Sequence, residues 1–148
     1  MNTISRKEQI IITSAKLFRQ KGFEAASMRD IAARLGIEAA SLYSHIKSKD
    51  EILETICFRM ADELIKAIDE VNDVYFNAEE KLATAIKNHV KIVTGDLDSS
   101  TVFLREWRRL PAGKLSEFVK LRNRYEDGFM QILINGENEN VFEAPDKK

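Results

Sequence analysis

The chain has 148 residues, 44% of them hydrophobic and 32% charged, with six glycines, two prolines and one cysteine. Such a composition suits a helix-rich globule and argues against many short strands. No apolar run nears the roughly 20 residues that span a bilayer, no secretory apolar segment follows Met1, and Cys57 has no second thiol for an internal disulfide or a thiolate metal site. The expected compartment is the cytoplasm, with no membrane partner.

Capping signals place the helices in chain order. Ser5 with Glu8 opens the first, whose apolar face carries Ile11, Ala15 and Phe18, with Ile10 and Leu17 beside it. Gly22 ends it, since glycine accepts positive φ. Ser27 with Asp30 opens a short second helix that Gly36 stops, and a third covers about Ala39 to His45. Ser48 with Glu51 opens a long fourth helix to about Glu70, and Asn77 with Glu80 a fifth to about Thr94. Asp98, Ser99 and Ser100 start a sixth, limited by Pro111. A seventh runs from about Gly113 to Asn135, with Gly136 as its terminator and a loose polar tail from Glu137 to Lys148. The fold class is all-α. The expected division is 1–47 as a head and 48–148 as a helical body, joined by the fourth helix.

A net charge of −1 conceals an asymmetry. Residues 1–50 hold nine Lys/Arg against five acids, and the remainder 14 against 19. A basic head on an acidic body orients toward phosphate.

The stretch from Ser27 to Lys49 is the informative one. Ala32 and Gly36 supply a small residue at a helix crossing and a turn residue that tolerates positive φ. Ile37 and Leu42 point to the core. Together these four describe a helix-turn-helix. With Leu42 inward, Ala39, Ala40, Tyr43 and part of Ser44 face away from the core. Alanines, a tyrosine and serines make a neutral, close-fitting surface for a groove. Ser27, at a helix N-terminus, is suited to an anion.

The run IAARLGI (Ile31–Ile37), followed by SLYSHIKSKDEIL (Ser41–Leu53), resembles the N-terminal domain of the tetracycline-repressor (TetR) family. Leu42, Tyr43, His45, Ile46, Lys49 and Ile52 match its pattern, and Ala15, Phe18, Gly22 and Phe23 resemble its first helix and exit. The resemblance covers about residues 6 to 60. It implies a three-helix DNA-binding head, a double-stranded operator of palindromic form, and a homodimer. By position it implies that Arg29 reaches a base edge and that Ser27, Ser41, His45 and Lys49 hold phosphates. Tyr43 would lie against the backbone or a thymine, with Met28, Glu38, Ala39, Ala40 and Ser44 completing the candidate interface. Ala39 and Ala40 stand where family members often carry polar readers, so Arg29 is expected to carry most of the direct readout.

In this family, ligand binding in the body moves the fourth helix and changes the spacing of two heads. The expected function is a ligand-responsive repressor. Candidate ligand residues are His89, Phe103, Trp107, Arg108, Phe118 and Tyr125. The segment from Arg105 to Arg109 resembles the body of members that sense fatty acyl-CoA or related lipid-like compounds, with Arg108 or Arg109 meeting an anionic head group. Family chains dimerise through two further helices near the C-terminus, so either the chain is truncated, which is the favoured expectation, or its dimer forms otherwise, or its pocket is incomplete. An alternative is a DNA-tethered factor whose body binds another protein and no small molecule. An enzyme is not expected: the two histidines, His45 and His89, lie far apart, and there is neither a Gly-rich phosphate loop nor metal-ligand spacing. No cofactor or metal is expected.

Overall fold

The computed structural model describes residues 3–74 and 77–143. Among them are seven α-helices: α1 (Arg6–Lys21), α2 (Met28–Leu35), α3 (Ala39–His45), α4 (Lys49–Asp73), α5 (Ala78–Gly95), α6 (Leu97–Glu106) and α7 (Ala112–Asn138). A 3₁₀ turn, Trp107–Arg109, follows α6. The all-α expectation holds, with no strand among the described residues. No helix is long and apolar enough to cross a membrane.

The local chemistry at the helix starts explains their positions. The Ser5 hydroxyl accepts the Glu8 N–H, but the Glu8 carboxylate leaves the cap and takes the Arg59 guanidinium. Ser27 and Asp30 form a reciprocal box: Asp30 N–H donates to the Ser27 hydroxyl (3.0 Å) and Ser27 N–H to the Asp30 carboxylate (2.9 Å). At α4 the box is displaced by one residue, since Glu51 N–H donates to Ser48 while the Glu51 carboxylate accepts the Lys47 N–H at 2.8 Å. The α6 start lies earlier than the serines suggest, because Asp96 accepts the Ser99 N–H.

The compact units follow a different division from a head and a body split at residue 47. One comprises Met1–Met60 with Asp96–Phe118, the other Ala61–Gly95 with Val119–Lys148. In the first, α1 packs on α2, α3 and also α6, and Arg19 on α1 pairs with Asp98 on α6 at 3.0 Å. Three short helices have too little shared interior to close a core alone, and α6 supplies a further apolar face. Its interior includes Ile10, Phe18, Ile31, Leu42, Ile46, Ile52, Leu53 and Cys57. Phe23 meets Phe18 edge-on at 5.2 Å, and Phe118 receives the rings of Phe58, Phe103 and Trp107.

The second unit is centred on Ile68, Val71, Ala85 and Ile132, with Leu82, Tyr125, Phe129 and Phe142 against them. Gly128 permits the approach of α7 to Ile68, since a Cβ there would lie 2.6 Å from an Ile68 methylene. Gly136 is not the terminator of α7, which continues to Asn138. The chain turns back at Asn140 (φ 57), and the N–H groups of Val141 and Phe142 donate to the Gly136 carbonyl. A Cβ at Gly136 would collide with the Phe142 ring, so the glycine serves close packing and the turn follows it. Of the expected loose tail, Glu137 and Asn138 are helical, Phe142 packs, and 144–148 lie outside the described residues.

Candidate nucleic-acid interface

The helix-turn-helix rests on the α2 exit. Gly36 has φ 64 and ψ 34, the left-handed conformation that favours glycine. Its N–H donates to Ala33 O at 3.2 Å and the Ile37 N–H to Ala32 O at 3.1 Å, closing the last carbonyls of α2. A Cβ on Gly36 would meet nothing within 4 Å. Backbone conformation, not space, therefore selects glycine there, and the close-approach role falls to buried Ala32.

The chain enters α3 with a fixed rotation. Leu42 is 0% exposed and its neighbour Tyr43 is 52% exposed. Around Tyr43, the residues Ala40, Ser41, Ser44 and His45 are exposed, Ala39 is half-buried, and Glu38 sits exposed at the N-cap without a side-chain bond. Apart from Glu38 at its start, the face carries no acid, lysine or arginine, and it points outward. At the α2 start Arg29 is exposed, Met28 half-buried and Ser27 exposed. Among the described residues Arg29 has no ion-pair or hydrogen-bond partner, whereas Lys7, Lys21 and Arg19 are each paired with an acid.

Some candidate groups are already occupied. The Ser27 hydroxyl accepts the Asp30 N–H, leaving its O–H as a donor. Ser44 donates to the Ser41 carbonyl at 2.6 Å. Lys49, expected on phosphate, turns inward: its ammonium donates to the carbonyls of Phe23 (2.6 Å), Ala26 (3.0 Å) and Glu24 (3.2 Å). Its three protons are engaged, which leaves none for direct contact with DNA in this structure. Two carboxylates brace the same region. The Ser27 N–H beside Asp30 and the Lys47 N–H beside Glu51 hold those carboxyls below their ordinary values.

Of the ligand candidates, Phe103, Trp107, Arg108 and Phe118 belong to the first unit. Phe118 is fully buried with rings on several sides, which makes it core. Arg108 is exposed and lies over the Trp107 ring at 4.3 Å. Arg109 is engaged with Glu24 and Glu106. In the second unit, exposed His89 meets the half-buried Tyr125: His89 Nδ1 and the Tyr125 hydroxyl are 2.8 Å apart and the rings stack. Burial pushes the Tyr125 phenol up to about 12. Sequence reasoning passed over Glu106, whose carboxylate accepts the Phe23 N–H at 3.4 Å. The two are 83 positions apart, and no local pattern announces the contact.

Comparison with known proteins agrees with this geometry. Residues 10–56 match the family described as bacterial regulatory proteins, tetR family, and residues 76–148 match a tetracyclin repressor-like C-terminal domain. The TetR-family transcriptional regulator PfmR from Thermus thermophilus is 31% identical, with 93% of this chain and 75% of that one covered and a TM-score of 0.84. The chain belongs to the tetR family of bacterial regulatory proteins. Among its TetR-family relatives is the HTH-type transcriptional repressor KstR2 of Mycolicibacterium smegmatis, 28% identical over 120 residues. That alignment covers 81% of this chain and 58% of the repressor, so the chain spans little more than half the length of that relative. The structure of AibR in complex with isovaleryl coenzyme A and operator DNA shares the TetR fold at a TM-score of 0.83 and 24% identity, with 96% of this chain and 77% of that one covered.

Proposed function

We propose that this chain is the DNA-reading part, with some of the effector-sensing part, of a transcription regulator that acts as a repressor on a double-stranded operator. The observation that carries the reading is the rotation of α3: Leu42 sealed in the core and Tyr43 outward among alanines and serines. Such a face can sit close against base edges and thymine methyls. Arg29 has no partner to give up and takes the role of the base-reading fork. Ser27, Ser41 and His45 supply contacts to phosphate, while Met28, Glu38, Ala39, Ala40 and Ser44 shape the fit. Two heads on a palindrome multiply an affinity that a single head holds only weakly, and a homodimer is the assembly proposed.

For the effector we propose an anionic amphiphile of the acyl-CoA kind. Support comes from Arg108, which is exposed on Trp107 while Arg109 is engaged elsewhere, and from the isovaleryl coenzyme A in the AibR complex.

The test is selection of a random duplex pool by the purified chain, followed by thermal unfolding with acyl-CoAs of several lengths. Enrichment of an inverted repeat supports the DNA reading, and failure to enrich any sequence removes it. A rise in melting temperature with acyl-CoA that Arg108→Ala abolishes supports the effector class. No rise with any acyl-CoA removes that class and leaves the DNA reading in place.

A further inference from the structure

The turn between α1 and α2, Gly22 to Ser27, is held from two directions. Its carbonyl groups converge on one cation, the Lys49 ammonium at the first residue of α4. The same ammonium stands 4.4 Å from the centroid of the Phe23 ring. Among the described residues no carboxylate lies within ion-pair distance of it, so carbonyl dipoles and the ring face take the place of an acid. From the other side, the Phe23 N–H donates to Glu106 on α6. The second Glu106 oxygen accepts the Arg109 Nε–H at 2.8 Å, and Arg109 pairs in turn with the Glu24 side chain. Gly22, at φ 85 and ψ 155, lets the backbone present carbonyls to one side and an N–H to the other.

This turn delivers Ser27 and Arg29 to the surface. The eight residues of α2 span about 12 Å, so a rotation of about 5° at the turn shifts the far end by about 1 Å. The far end leads through Gly36 into α3, so the shift displaces the outward face around Tyr43.

We propose that Lys49 is a positioning residue of the DNA-reading head and not a phosphate ligand, and that Glu106 with Arg109 completes its grip on the α1–α2 turn from α6. The inference rests on the DNA-binding reading above. It makes α6 a working part of the head.

The experiment uses the full chain and a duplex that it selects itself from a random pool. Lys49→Met keeps an apolar stem on Phe23 and removes the three donors. Dissociation constants over a salt series separate two outcomes. A lost phosphate contact reduces the slope of log affinity against log salt by about 0.9 per head. A lost positioning contact weakens binding at every salt concentration and leaves the slope in place. We expect the latter, with a loss of about tenfold, the scale of one hydrogen bond to a charged group. Amide exchange should accelerate at residues 23–27. Glu106→Ala should show the same signature, and Glu106→Gln, which keeps the carbonyl acceptor, should stay within about threefold of the starting affinity. A reduced slope in Lys49→Met makes it a phosphate ligand and overturns the proposal, as does unchanged affinity. If Lys49→Met does not fold, the Glu106 pair decides, and equal behaviour of its Ala and Gln forms overturns the proposal. Absence of any selected duplex with the unaltered chain defeats the DNA-binding reading itself, before any substitution is made.

Discussion

Replacing Arg29 by alanine should separate reading from folding. The side chain is exposed, lies in the first turn of α2 and forms no ion pair or hydrogen bond among the described residues. Its removal creates no cavity and orphans no buried group, so the change in stability should lie within about 0.5 kcal/mol. On DNA the expectation is different. A bidentate arginine–guanine pair discriminates by about 1–3 kcal/mol, which is roughly 5- to 150-fold. The loss should be confined to one position of each half-site, because one fork reads one base pair. The assay is a titration of the selected duplex and its single-position variants, with thermal unfolding of both proteins as the control. An Arg29→Ala protein with an unchanged preference at every position would refute the assignment. So would a uniform loss over all positions, which is the mark of a phosphate contact.

Four further outcomes are expected. Leu42→Ala should cost roughly 2–5 kcal/mol of stability, since the side chain is wholly enclosed, whereas Tyr43→Ala should stay within about 0.5 kcal/mol; denaturant unfolding of both proteins checks the pair. Gly22→Ala should cost more than Gly36→Ala in the same assay. At φ 85 and ψ 155 the former occupies a region almost reserved for glycine, about 1–3 kcal/mol for any other residue, while the left-handed site with open space at Gly36 costs about 1 kcal/mol. The carboxyls of Asp30 and Glu51 are held below their ordinary values of 3.8 and 4.5, so their contribution is complete above those values and is lost as the pH falls through the lowered ones. An Asp30→Asn, Glu51→Gln protein should therefore show a flatter loss of stability on acidification, read from unfolding midpoints at successive pH. Burial pushes the Cys57 thiol up to about 12, so alkylation at neutral pH should proceed only as fast as the protein opens; rapid labelling under native conditions would show the thiol to be accessible.

What the sequence revealed was what short-range chemistry determines. The Ser27–Asp30 box, the Gly36 exit and the inward Leu42 each depend on residues a few positions apart, and each stands as expected. Contacts between distant residues were silent. Lys49 reads as a surface cation because its acceptors are backbone carbonyls, which every residue carries and no sequence pattern marks. The attachment of α6 to the head was hidden for a related reason: Arg19–Asp98 and Phe23–Glu106 join positions about 80 residues apart. Gly136 misled through its residue type. A glycine near a helix end usually signals a stop, but here the Phe142 ring lies against it, and a ring returning six residues later leaves no local trace.

The outward face of α2 and α3 is most directly tested by titrating the selected duplex into isotopically labelled protein and following the backbone amides. Shift changes should concentrate at Ser27–Arg29 and Ala39–His45, with little change among the buried residues around Ile68 and Ile132. Changes centred on another surface, with those two segments silent at saturating duplex, would contradict a helix-turn-helix that reads DNA through Tyr43 and Arg29.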